Sequence, residues 1–282
     1  MSLLNVYIIA NENVERNHMM IVQIEKLRKV FERLRQDISF TWISNQDFFS
    51  EKQVSYTELI KTQFIRLGHD LKFFKYRKFS LVKIIYYLID NFFKQTSIWM
   101  SRSALRRFKR FVKVQKIVNY KHDLAMRMTA NSSEEFSLVL EDDAIIQDFD
   151  IFASEILNLM NQKTDLFVNL ANVIHIHDLC LDKLATMKTE SEVWFSNPVT
   201  NGLCAYFFNR SFATKLLNKR LQSDLFEYLP CDYALNELFM KLKYEDSKFY
   251  SKLYINPPVR HGSENTFSDT SVSSIFFNKP IK

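Results

Sequence analysis

Glycine is nearly absent: three residues in a chain of 282, with five prolines beside them. That scarcity argues against collagen-like, low-complexity and repeat architectures, which depend on these two residues. Cysteine is almost as sparse. Cys180, Cys204 and Cys231 are an odd number with no zinc-ligand spacing, and they read as reduced, mostly buried thiols of a cytosolic protein. No apolar run approaches the ~18 residues of a membrane span. The nearest, LVKIIYYLIDNFF, is broken by Lys83 and Asp90. The opening residues lack the basic region and small-residue cleavage site of a signal peptide, so a cytoplasmic protein is expected.

Apolar residues make up 47% of the chain and charged residues 25%, enough for a sizeable core. Acid is what residues 61–120 lack. They carry fifteen Lys/Arg against Asp70 and Asp90, a local charge of +13 that leaves the remainder at −7. A basic, aromatic segment inside an acidic protein suits an anionic partner. In ALRRFKRFVKVQKIV, Leu105, Phe108, Phe111/Val112 and Val118 form an apolar stripe ringed by cations. Two readings stand: a helix packed on the core, or an interfacial helix against an anionic membrane. Nucleic acid is not expected as a partner, because no nucleic-acid-binding motif accompanies the charge.

Strand and helix periods alternate elsewhere. LNVYIIA (4–10) is an apolar strand; Met20, Ile24, Leu27, Phe31 and Leu34 then recur at helical spacing; ISFTWIS (38–44) alternates as a second strand. Such a unit predicts two parallel strands, with ligands beyond their carboxyl ends near residues 11–16. Residues 51–120 read as mostly helical. Further strands are expected at 137–140, 166–171, 203–208 and 252–259, and helices at 150–160, around Leu216 and from about Asp232. The expected fold is α/β: a single Rossmann-type domain with a mainly parallel sheet flanked by helices, and residues 50–120 as a basic helical insertion. The Ser/Thr-rich tail after His261 reads as a loop.

The stretch FSLVLEDDAIIQDFD places Glu141, Asp142 and Asp143 directly after an apolar strand. Adjacent carboxylates repel, so this is either a solvated loop or a cation site. Hard cations such as Mn²⁺ and Mg²⁺ take oxygen ligands, commonly carboxylates shared with substrate phosphates. In extended backbone Glu141 and Asp143 point one way and Asp142 the other. Two acids are then placed for a metal and the third for a ribose hydroxyl.

Other residues carry paired readings. Asn11 and Arg16 sit where a base or phosphate would lie, or are plain loop residues. Gly202 permits close approach to a ligand, or makes a turn. Asp232 is either a helix N-cap or a general base. His261 completes a metal site, meets a diphosphate, or is exposed. His175 and His177 share one face of a strand, a spacing compatible with a metal.

VLEDDAII resembles the acidic motif of glycosyltransferase family 25, which contains bacterial lipooligosaccharide and collagen galactosyltransferases. NVYIIANENVER, KHDLAMRM with His122, TNGLCAYFFNRSFATKLL, LPCDYALN and NPPVRHGS resemble further segments in the family's order. The first loop keeps only Arg16 of the usual arginines, and Lys121 stands where Ser is usual. The resemblance implies a GT-A fold and an inverting transfer of a hexose, galactose first, from a nucleotide-diphosphate sugar such as UDP-hexose. The acceptor would be a lipid-linked lipooligosaccharide or other surface glycan, reached from the inner face of the cytoplasmic membrane.

In that scheme Glu141, Asp143 and His261 hold Mn²⁺ or Mg²⁺, while Asn11, Arg16, His122, Asp142 and Gly202 meet the nucleotide sugar. Asp232 acts as base, and Asp142 takes part in catalysis at the sugar. Two other classes compete: a non-catalytic membrane- or nucleic-acid-binding protein, and a metal-dependent phosphoester hydrolase. The hydrolase needs a second carboxylate cluster, which the sequence does not offer.

Overall fold

Val6 and Ile8 alternate with Tyr7 and Ile9 in the first strand, β1 (Leu4–Ile9), and all four are buried. A strand apolar on both faces has to be covered on both, and the same holds for the other central strands. The result is a three-layer arrangement. The computed structural model describes residues 3–45, 54–76, 80–162, 164–171, 187–195, 200, 202–221, 223–243 and 250–262.

After β1 come α1 (Val14–Arg33), β2 (Ile38–Ile43), the helices α2 (Tyr56–Tyr76), α3 (Leu81–Met100) and α4 (Arg102–Asn131), then β3 (Phe136–Glu141) and β4 (Ala144–Ile146). The second half runs α5 (Phe149–Met160), β5 (Leu166–Asn169), β6 (Met187–Lys188), β7 (Glu192–Phe195), β8 (Ala205–Asn209) and α6 (Arg210–Arg220). It continues with α7 (Leu225–Tyr228), α8 (Cys231–Lys243), β9 (Tyr250–Tyr254) and β10 (Val259–His261).

Eight strands form one sheet in the order β2-β1-β3-β8-β5-β9-β7-β6, and β10 pairs with β4 in a second, two-stranded sheet. The protein is α/β, but the sheet is mixed rather than mainly parallel. β1 runs parallel to β2 and β3, and β5 parallel to β9. β8 is antiparallel to both β3 and β5, and β7 is antiparallel to β9 and to β6. The expectation failed for a simple reason: burial on both faces shows in the residue pattern, but strand direction does not.

The pleat sorts the core. Val6, Ile8, Leu138, Leu140 and Phe207 pack with α1 and α5 through Met20, Leu27, Phe31, Phe152 and Ile156. Tyr7, Ile9, Val139, Tyr206 and Phe208 face α4, α6 and α8 through Ala125, Met126, Phe212, Leu235 and Phe239. The helices start where short polar residues take their first N–H groups. Asn13 accepts from Arg16, Asp148 from Asp150 and Ile151, and Asn209 from Phe212.

The basic segment between β2 and β3 is helical, as its periodicity suggests. Phe108 and Val112 of α4 are buried with Leu59 and Ile98, and Leu105 and Phe111 pack against them. The apolar stripe of α4 therefore turns inward, and the core-packed reading of that stripe is the one realised. Among the described residues no helix is long and apolar enough to cross a membrane.

Gln23 ties α1 to the strand that follows the acid run. Its Nε2 donates to the Ala144 carbonyl at 2.7 Å, and its Oε1 accepts the Ile146 N–H at 2.7 Å. Both bonds are buried, so Gln23→Leu leaves a backbone donor and acceptor without partners, at about 1–3 kcal/mol each. The variant is expected to melt several degrees lower in a calorimetric scan, and an unchanged melting temperature would refute this bracing role.

Candidate metal centre and adjoining cavity

β1 and β3 end level, with Ile9 opposite Glu141, so the acid run emerges beside the β1–α1 loop. The Glu141 N–H donates to the Cys204 carbonyl at 2.8 Å and the Asp142 N–H to the Ile9 carbonyl at 3.0 Å. The run is thus held from both sides while its side chains leave in alternate directions.

Glu141 and Asp143 turn toward Cys204 and His261. One ligand atom from each of these four residues lies within 4.8 Å of all the others. His261 is delivered by β10, which pairs antiparallel with β4 and sets His261 opposite Ala144. Its Nε2 is 3.7 Å from Asp143 Oδ2. The Gly262 N–H donates to the Asp143 carbonyl at 2.9 Å. A Cβ on Gly262 would stand 2.8 Å from that carbonyl oxygen and 2.9 Å from the Asp143 Cβ, so only glycine admits this approach.

Asp142 goes the other way. It is 1% exposed and accepts the Asn11 backbone N–H at 2.6 Å. Arg16, also buried, places Nη1 3.6 Å from Asp142 and 3.7 Å from Asp143. Asp142, expected at ribose or sugar, fastens the β1–α1 loop through Asn11. Asn11 and Arg16 stand next to the acids through Asp142.

α4 supplies two consecutive side chains. Lys121 is fully buried, its ammonium donating to the Ala10 carbonyl and, at 3.2 Å, to Asn11 Oδ1. His122 lies 3.0 Å from Glu141 Oε1 through Nε2 and 2.9 Å from the Tyr206 hydroxyl through Nδ1. The Glu141 carboxylate can only accept, so Nε2–H donates to it, and Nδ1 pairs with the Tyr206 hydroxyl. His122, expected at the nucleotide sugar, is fully buried, holds the Glu141 carboxylate and lines the adjoining cavity.

The charges respond to crowding. Burial raises Asp143, the charge of Glu141 adds to it, and the pull of His261 and Arg16 leaves its carboxyl at about 6. Burial also raises Asp142 despite the Asn11 N–H and Arg16. Burial works on Glu141 in the same sense, but the hydrogen bond and charge of His122 prevail and its carboxyl is lowered. Burial and the neighbouring carboxylates push the Cys204 thiol well up, and it donates to Asp143 Oδ1 at 3.8 Å. Burial lowers Lys121 against the attraction of Asp142 and Glu141.

This donor set fits the expected metal. Glu141 and Asp143 are hard oxygen donors, His261 adds a nitrogen, and Cys204 is held as a neutral thiol. Two carboxylates with one imidazole suit Mn²⁺ better than Mg²⁺, which discriminates more strongly for oxygen. A softer cation would instead draw Cys204 into the set as thiolate.

A cavity of about 290 Å³ adjoins the group, lined by Glu141, His122, Gly202, Cys204, His261 and Asp232, with α4 as one wall. Gly202 has φ 99°, and its carbonyl turns inward to accept from Asn169 Nδ2 at 2.9 Å and Thr200 Oγ1 at 2.7 Å. The turn requires glycine, and the same residue borders the cavity. Asp232 lies within the first turn of α8, one residue past the start; the Pro230 carbonyl accepts the Ala234 N–H. It is therefore not the N-cap. Burial raises its carboxyl, opposed by the Tyr233 N–H and by His69 and Arg66.

Gln115 was missed in the sequence. It is 6% exposed, lines the cavity, and neither atom of its carboxamide has a hydrogen-bond partner among the described residues. The signal was present: Gln115 interrupts the α4 stripe between Val112 and Val118. Lys121 and Cys204 gave no such signal. His175 and His177 lie outside the described residues.

No protein-family model matches this chain, and a search of curated proteins returns no match.

Two outcomes follow from the crowding. The folded-state carboxyl of Asp143 is raised, so its ionised form opposes folding above about 6, and that penalty fades as pH falls below it. Without metal, Asp143→Asn should be more stable than the native chain at neutral pH, with the gap closing on acidification; a gap that widens in acid would contradict the assignment. Gly262→Ala displaces the Asp143 backbone. It should weaken Mn²⁺ binding by about tenfold, the scale of effect seen when a ligand's supporting shell is disturbed. Calorimetric titration measures this, and undiminished affinity would show that the close approach is not needed.

Proposed function

We propose that this protein is a metal-dependent, GT-A-like glycosyltransferase of the family 25 type. It would transfer a hexose, galactose as first candidate, from a nucleotide-diphosphate sugar to a surface-glycan acceptor with inversion. The observation that carries this reading is one convergence. Glu141 and Asp143 leave one strand end on the same side, His261 joins them from more than a hundred residues away, and Asp232 lines the adjoining cavity from the other half of the fold.

Glu141, Asp143 and His261 would hold the cation, which when bound supplies charge compensation for the departing diphosphate. Arg16 keeps the neighbouring carboxylates from repelling the donor further, and Asp142 fixes the loop that leads into α1 and Arg16. His122 holds Glu141 in one orientation. Asp232 is the base of this scheme. It takes the proton of the acceptor hydroxyl as the new bond to the anomeric carbon forms and the bond to the diphosphate oxygen breaks. A carboxyl raised by burial binds that proton more strongly than an ordinary one. Gln115 offers an unsatisfied donor and acceptor at the cavity wall, which suits sugar hydroxyls.

The test is a thermal-shift screen of nucleotide sugars with and without Mn²⁺, followed by transfer assays with the sugars that stabilise the protein. Asp143→Ala should abolish both the Mn²⁺-dependent shift and transfer. Asp232→Asn should keep the shift and lose about 10²–10⁴-fold in turnover, the usual worth of a general base. Full turnover in Asp143→Ala, or no nucleotide sugar that stabilises the protein with Mn²⁺, would overturn the reading.

A further inference from the structure

Helix α3 presents a second feature that the cavity does not use. Val82, Tyr86, Ile89, Phe93 and Met100 recur at intervals of three, four and seven along it, which places them on one face, and Phe92 lies beside them. That face is turned outward. Val82 is 76% exposed, Tyr86 75%, Met100 83%, and both phenylalanines 67%. The helix is nevertheless fixed to the body by its other side. Ile98 is buried with Phe108 and Val112, the Tyr87 hydroxyl donates to Asp70, and Trp99 Nε1 donates to Gln63 Oε1 at 2.9 Å.

α3 thus shows apolar residues on two faces, one packed and one bare. A bare stripe of aliphatic and aromatic side chains is costly in water and marks a surface that something covers. Its surroundings say what. Residues 81–113, which span α3 and the first part of α4, hold eight lysines and arginines against Asp90 alone, and Asp90 is paired with Lys94. Arg102, Arg106, Arg107, Arg110 and Lys113 are all exposed on the adjoining helix.

We propose that α3 is an interfacial helix that inserts its outward face into a bilayer bearing anionic headgroups, with the cations of α4 on the lipid phosphates. A second copy of this chain is disfavoured as the occupant, because it would bring two strongly basic surfaces together. Nucleic acid would satisfy the cations but not Val82, Ile89 and Met100. A bilayer satisfies both at once, since its acyl boundary takes the apolar face and its headgroups take the charge. The sequence left the α4 stripe open between core packing and an interfacial role; the stripe packs inward, and the outward apolar face of the basic segment is on α3. The proposal does not rest on sugar transfer. It does connect to the cavity, because α4 packs against α3 at Phe108 and lines the cavity at Gln115.

The experiment is co-sedimentation of the full chain with phosphatidylcholine vesicles, with and without phosphatidylglycerol. The native protein should sediment with the anionic vesicles, and less with the neutral ones. The double variant Phe92→Glu, Phe93→Glu should lose about tenfold or more in vesicle affinity, since it removes inserted apolar area and adds repelled charge. It should keep the native melting temperature, because both side chains are already exposed. Arg106→Glu with Arg107→Glu should weaken binding to anionic vesicles only. Any of three results would overturn the proposal: no sedimentation with either vesicle, unchanged binding by the phenylalanine variant, or a dimer by light scattering that this variant dissociates while its vesicle binding stays intact. Stabilisation by nucleotide sugar and Mn²⁺ should be the same in native and variant chains, so failure here and failure of the transferase reading can be told apart.

Discussion

Three carboxylates on consecutive residues cannot stand at a buried strand end without compensation, and much of the structure around β3 is arranged to supply it. The surrounding elements bring the compensating groups. The β1–α1 loop contributes the Asn11 N–H, the first turn of α1 the Arg16 guanidinium, α4 Lys121 and His122, and β10 His261. The compensation is incomplete, because burial and Glu141 still drive the Asp143 carboxyl up to about 6. A folded protein that keeps such residual repulsion gives up stability that a cation would restore. The metal-binding reading rests on the distances, and that imbalance is in keeping with it.

α4 is the element through which the parts of the molecule meet. Its first half is packed into the satellite cluster with α2 and α3, and its last turns reach the main core at Ala125 and Met126. Between them lie Gln115 at the cavity and Lys121 and His122 at the acids. A helix fixed at both ends holds these polar groups in register with the strand edge. The basic segment, which reads in sequence as an insertion, therefore contributes side chains directly to the site.

Much was legible before folding. The apolar strand ending in three acids, the alternation of strand and helix, and the opposite directions of Asp142 and its neighbours all follow from local rules: a period of two, a period of 3.6, and carboxylate repulsion. The helices α2, α3 and α4 followed from the same periods, read over residues 51–120 as mostly helical. Gln115 was legible too, as a polar residue on an apolar stripe, had the stripe been read for its exception. The stripe of α4 left two readings open, since periodicity shows that a helix has an apolar face but not whether protein or lipid covers it. α4 was covered by protein; the outward face of α3 was not.

The sequence by itself determined the elements and the chemistry that could sit at their ends, because those depend on neighbours a few residues away. Tertiary structure alone decided which ends meet. The antiparallel placement of β8 beside β3 set Cys204 next to Asp143, and the pairing of β10 with β4 brought His261 in from more than a hundred residues away. It also tied Asp142 to the β1–α1 loop and set His122 against Glu141. Strand direction and pairing are set by how two helical layers cover both faces of a sheet, and that is a property of the assembled core rather than of any one segment.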